Sequence, residues 1–198
     1  TVMIQKLNRI RAALALRIQA KKREYVTCYN PSKMIVFDVE TTGLDAEKDD
    51  VLQISIIDGN GKTLINEYGH PLKKESLIEA QRINGISPEM VKNAPYPHEL
   101  IPKVKGIFQS ADLLVSYNGV FDLGFLSHWG IHTEGKKHYD VMREFAPVYG
   151  EADLKRGGYK WKKLTVCAEY YGYEFKAHDS LEDVKATLHC YRKLTEQR

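Results

Sequence analysis

Cysteine is scarce in this 198-residue chain: Cys28, Cys167 and Cys190 stand far apart, and no CxxC pair occurs. That excludes a disulfide-stapled scaffold, and the thiols read as reduced, small hydrophobes of a cytoplasmic protein. No apolar run approaches the ~18 residues of a membrane span, and no segment has the three-part form of a signal peptide. Prolines number only seven, and internal repeats and low-complexity tracts are lacking, so a repeat array or a Pro-rich linker is set aside. What remains is a globular composition, 43% hydrophobic and 28% charged, at a length that suits one domain with a real core.

Acid is nearly absent from residues 1–33, which carry eight Lys/Arg against Glu24 alone, a net +7, while the remainder is net −4. A basic arm suits a polyanion, and an acidic body suits a cation. Ile4, Leu7, Ile10, Leu14 and Ile18 recur at helical spacing, which predicts a basic amphipathic helix over 2–24. Asn30-Pro31 then breaks the pattern. The expected division is a helical arm or linker over 1–33 and a domain over 34–198. With no initiator Met, the arm is either an appendage or the tail of something upstream. Its contact is open between nucleic acid, a polymerase or adaptor protein, and the chain's own body; a membrane surface is set aside.

From Met34 the pattern changes. "MIVFDVE" predicts a strand by its β-branched and aromatic content. "VLQISIID" alternates and meets a Gly59-Asn60-Gly61 turn before "KTLINEYG", so an antiparallel meander is expected. Helical patterns follow in "ESLIEAQRI", "SPEMVKN" and "HELIPKVKGIFQ", then a short strand in "DLLVSYN". "VFDLGFLSHWG", "DVMREFAPVYG", "LTVCAEYYG" and "LEDVKATLHCYRKL" read as further helices, with a basic loop, "ADLKRGGYKWKK", among them. The sum is an α/β fold, a mixed sheet flanked by helices.

Asp38 and Glu40 lie two apart on the first strand, so they project from one face. Two buried like charges are costly unless something neutralises them, and oxygen ligands suit Mg²⁺ or Mn²⁺. Two such ions about 3.5–4 Å apart are a known device for in-line displacement at phosphorus. They need more than two acids. Asp122, in a helix's first turn, and Asp183, five residues after His178, are the candidates. Taken singly, each has a plainer reading: Asp122 suits the helix dipole, Asp183 a solvated helix face, and His178 a loop or cap.

Three motifs in order, "DVETTGL" (Asp38–Leu44), "NGVFDLGFL" (Asn118–Leu126) and "HDSLED" (His178–Asp183), resemble the DEDDh branch of the 3′–5′ exonucleases. That family includes the proofreading (epsilon) subunit and the exonuclease domains of bacterial replicative polymerases. The resemblance spans about residues 34–195, and "INGISPEMVKNAP" and Asp140 agree with it. It implies an RNase H-like mixed five-stranded sheet, meander first, for which "KHYD" is the best fifth strand. It also implies two divalent cations, with Asp38, Glu40 and Asp183 on the first, Asp38 bridging, and Asp122 on the second. His178 becomes the general base, a task that imidazole suits near neutral pH. Thr41 is expected to meet the terminal 3′-OH and Leu44 to wedge against the last base, the alternative for Leu44 being a buried apolar residue. Asn118 either contacts substrate or caps its helix. Phe121 and Phe125 read as core, and Thr42 and Gly43 as turn-shaping residues.

The implied activity is metal-dependent 3′–5′ hydrolysis of DNA, preferably at single-stranded 3′ ends, to nucleoside 5′-monophosphates. An RNA-trimming exoribonuclease and a non-catalytic nucleic-acid-binding accessory module are the alternatives. Retention of all four acids and His178 counts against the latter. In the basic loop, Lys155, Arg156, Lys160, Lys162 and Lys163 interleave with Tyr159 and Trp161. Cations beside aromatics suit single-stranded nucleic acid, so Lys160, Trp161 and Lys162 are candidate substrate contacts, a solvated surface loop being the alternative.

Overall fold

The computed structural model describes residues 29–74 and 76–196; the arm helix expected over 2–24 and Cys28 lie outside them. A five-stranded sheet is built from β1 (Met34–Thr41), β2 (Val51–Asp58), β3 (Thr63–Tyr68), β4 (Leu113–Ser116) and β5 (Lys137–Asp140), in the order β3-β2-β1-β4-β5. The first three strands pair antiparallel; β4 pairs parallel with β1, and β5 parallel with β4. Both the meander and the "KHYD" strand are therefore present. The helices are α1 (Ile78–Asn84), α2 (Pro88–Val91), α3 (Pro97–Ser110), α4 (Gly119–His128), α5 (Val141–Tyr149), α6 (Leu164–Tyr170) and α7 (Ser180–Glu196).

Alternation along β1 sorts its side chains into two layers. Ile35, Phe37 and Val39 pack with Val104 and Phe108 of α3 and with Phe125 and Leu126 of α4. Met34 and Val36 pack with Phe145 of α5, Cys167 and Ala168 of α6, and Val184 and Leu188 of α7. Asp38 and Glu40 extend that second register toward the end of the strand, where a bulge between Glu40 and Thr41 shifts the pairing with β2.

Although "VLQISIID" alternates, every residue of β2 is buried, because helices cover both faces of the sheet. Its polar members are satisfied inside: Gln53 Nε2 and Ser55 Oγ donate to Asn66 Oδ1 at 3.0 and 2.9 Å. Residues just before β1 also belong to the body. Gly59 N donates to the Pro31 carbonyl at 2.9 Å, and Asp112 N to the Lys33 carbonyl at 2.7 Å. The basic loop stays irregular except for one bridge between Ala152 and Tyr159.

Candidate active site

Three strands run parallel, β1, β4 and β5, and their carboxyl ends open on one edge of the sheet, the usual place for a site in such sheets. Asp38 and Glu40 occupy the end of β1. Asn118 follows β4 and sits at the N-cap of α4 with φ +66, which turns the chain sharply and brings Asp122 round in the first helical turn. Asp122 is only 2% exposed, and its Oδ1 accepts from Val39 N at 3.1 Å. That bond seats the carboxylate against the strand between the two motif acids. From the other layer, Ser180 Oγ donates to the Asp38 carbonyl at 3.0 Å, anchoring the start of α7 and bringing Asp183 inward. Glu40, His178 and Asp183 each place one donor atom within 4.8 Å of the others'.

Burial dominates the electrostatics. It lifts Asp122 to about 8, opposed by the Val39 N–H. Glu40 rises to about 7 through burial and then the charge of Asp183. Asp183 also rises to about 7 through burial, opposed by the backbone N–H of His178. Asp38 is pushed well above the carboxylate range by burial, then by Asp122, Asp183 and Glu40. Asp38 Oδ2 and Asp183 Oδ1 are buried with no hydrogen-bond partner. Unpaired buried carboxylate oxygens cost free energy, and hard oxygen donors gathered in this way fit a divalent cation such as Mg²⁺ or Mn²⁺.

The five residues that the motifs single out therefore come together. Thr41, Leu44 and Asn118 line the same cleft, of about 670 Å³, with Glu40 and His178. Leu44 is 88% exposed, so the buried alternative is excluded. Asn118 occupies the N-cap position, but its side chain makes no capping bond. Phe125 is core, while Phe121 packs on the core and also faces the cleft. Lys160, Trp161 and Lys162 do not line this cleft.

Three residues received no role from the sequence. Asn84 lines the cleft and donates to the Thr41 carbonyl at 3.3 Å. Asp140 Oδ1 accepts from Asn118 N at 3.2 Å, fixing the turn into α4. Ser180 pins β1. Asn84 and Asp140 stand in segments that agree with the family pattern, which was the available signal; for Ser180 there was only its place inside "HDSLED".

Comparison with known proteins bears on this geometry. A family model described as Exonuclease matches residues 35–191. Among curated relatives, the PolC-type DNA polymerase III of Thermotoga maritima is 27% identical over 173 residues, and that of Caldanaerobacter subterraneus 29% identical over 171. These matches cover 85% and 83% of this chain but 12% of each relative. Escherichia coli exonuclease I in complex with a dA16 oligonucleotide superposes with a TM-score of 0.65 at 19% identity, over 83% of this chain and 41% of that one. That likeness extends to the fold: a mixed five-stranded sheet flanked by helices. With four-fifths of its length under the family model and the three DEDDh motifs meeting in one cleft, the chain belongs to the Exonuclease family.

Proposed function

We propose that this chain is a divalent-metal-dependent 3′–5′ exonuclease that removes nucleoside 5′-monophosphates from DNA, preferably from single-stranded 3′ ends. One observation carries the reading. Acids from β1, α4 and α7 converge with unpartnered buried oxygens beside a histidine, at the mouth of a cleft open to solvent. The relatives' names support DNA as substrate: polymerases in one case, and an exonuclease bound to an oligonucleotide in the other.

Asp38, Glu40 and Asp183 would hold one divalent ion, and Asp38 and Asp122 a second. When bound, such ions supply the positive charge that offsets the carboxylates and the charge developing on a scissile phosphate. The protein's own groups do the rest. Thr41 is held by its hydroxyl on the Gly43 carbonyl at 2.6 Å, which keeps its backbone turned toward the 3′ terminus. Leu44 stands out from the turn to wedge against the terminal base. His178 accepts the proton of the attacking water at an imidazole nitrogen. The water oxygen bonds to phosphorus, the P–O3′ bond breaks, and the departing 3′-oxygen takes a proton from solvent. The basic residues ahead of Pro31 serve as an arm for nucleic acid, a polymerase or an adaptor.

The test uses matched DNA and RNA strands, labelled at the 3′ or 5′ end, with Mg²⁺ or EDTA. Mg²⁺-dependent release of mononucleotides from the 3′ end of DNA is expected. Asp38→Ala is expected to abolish it with the fold intact. Full activity in that variant would refute the metal role, and preference for RNA would reassign the substrate.

A further inference from the structure

The loop between α5 and α6 carries cations that are already engaged. Glu151 clamps two of them: one carboxylate oxygen lies 2.6 Å from Lys160 Nζ, and the other contacts Lys162 Nζ. Two ammonium groups on one small anion is also how a phosphate would be held. Lys162 is only 18% exposed and stacks over the Tyr149 ring at 4.5 Å, so its head is fixed. Between the two lysines Trp161 is left 57% exposed, with the Arg143 guanidinium 5.8 Å from its ring centre. An exposed indole among three cations offers a stacking face and phosphate partners together.

Two links join this surface to the cleft. Arg143 lies 3.7 Å from Asp140, whose Oδ1 holds the N–H of Asn118 on the cleft wall. Tyr117, the neighbour of Asn118, donates its hydroxyl to the Lys162 carbonyl at 2.7 Å. These bonds tie the surface around Arg143 and Trp161 to the cleft wall at Asn118.

We propose that Arg143, Lys160, Trp161 and Lys162 form a second binding site for single-stranded nucleic acid, taking a phosphate and a base upstream of the 3′ end, and that Glu151 holds the phosphate's place until the strand arrives. The strand's direction rests on the exonuclease reading; the binding itself does not. Displacement of one anion by another leaves the lysines' charge compensated throughout, so the site stays ordered without a ligand.

Binding is measured on the full chain in EDTA, where no cleavage occurs, by anisotropy of labelled dT16 and rU16 across a salt series. Each phosphate engaged on a single strand steepens the slope of log affinity against log salt by about 0.7. Glu151→Gln is therefore expected to bind both oligonucleotides up to about tenfold more tightly, with a slope steeper by up to about 0.7. Adding Lys160→Gln and Lys162→Gln to that variant is expected to cancel the gain. Trp161→Ala is expected to weaken binding by about tenfold through lost stacking. Should Glu151→Gln misfold by circular dichroism, Lys160→Gln with Lys162→Gln in the otherwise unchanged chain must weaken binding. Unchanged or weaker affinity in a folded Glu151→Gln, or no effect of the double lysine variant, overturns the inference. A wild-type chain without nuclease activity would sink the exonuclease reading and leave this binding result standing.

Discussion

His178 and Asn118 both hold φ +66, a backbone region that costs a non-glycine residue about 1–3 kcal/mol and is found where function over-determines geometry. Both line the cleft. His178 leaves this strained position two residues before α7, which lets an exposed imidazole reach back to Glu40 and Asp183. Replacing it with Ala keeps the backbone demand and removes only the ring. We expect His178→Ala to slow mononucleotide release by about 10²–10⁴-fold, with a melting temperature close to that of wild type. An unchanged rate would mean that another group takes the proton. Asp38 and Glu40 were legible from their i, i+2 spacing on a strand, whereas Asp122, Asp183 and His178, each with a plainer reading alone, were carried by the resemblance of three motifs in order. Ser180 and Asn84 were not. The Ser180 bond to the Asp38 carbonyl spans 142 positions, and no local pattern records such a partner. Leu44 had two readings in the sequence, because an apolar residue after a turn suits a core as well as a rim; its exposure decides.

Element α4 must start very close to the sheet. A Cβ at Gly119 would collide with the Ser116 hydroxyl and the His138 ring, which are themselves bonded at 2.9 Å. Only a glycine lets the helix begin there, and Asp122 rides in its first turn. We expect Gly119→Ala to destabilise the domain by about 1–3 kcal/mol, the usual cost of overpacking, measured by denaturant unfolding. Because the shifted helix also carries Asp122 away from Val39 N, binding of Mn²⁺ by calorimetry is expected to weaken in the fraction that still folds. Stability equal to wild type would show that β4 and β5 yield more readily than this packing implies. The sequence announces α4 through "NGVFDLGFL", yet nothing local marks the demand on its glycine, since that constraint comes from β4 and β5 across a parallel pairing. The same holds for β2. Its polar alternate residues, Gln53 and Ser55, are buried under helices distant in sequence. Nor did any local pattern announce that Pro31 and Lys33 would bond to the body.

Across the whole molecule the site works against stability when no cation is present. Carboxyls ordinarily near 3.8 or 4.5 rise to about 7 for Glu40 and Asp183 and to about 8 for Asp122, and Asp38 rises too. A folded-state pKa above the unfolded value means that the fold favours the protonated acid. That contribution is fully present below about pH 4 and is lost as pH climbs through 7 and 8. Each tenfold change in proton affinity corresponds to ~1.4 kcal/mol, so the cluster's effect is on the order of several kcal/mol. His138 works the other way, since burial lowers its pKa below 6.5 and its contribution is lost on acidification. The acids held low, such as Asp49 and Glu151, change state only at lower pH. In EDTA the melting temperature is therefore expected to fall from pH 7.5 to 8.5, above the range in which His138 titrates. Mg²⁺ is expected to stabilise the protein more at pH 8.5 than at pH 5.5, because protons no longer compete for the carboxylates. Asp38→Asn is expected to flatten the EDTA profile and to remove most of the Mg²⁺ effect. A melting temperature that stays level or rises with pH in EDTA would mean that these carboxylates are compensated within the protein, which removes the physical reason for a cation among them.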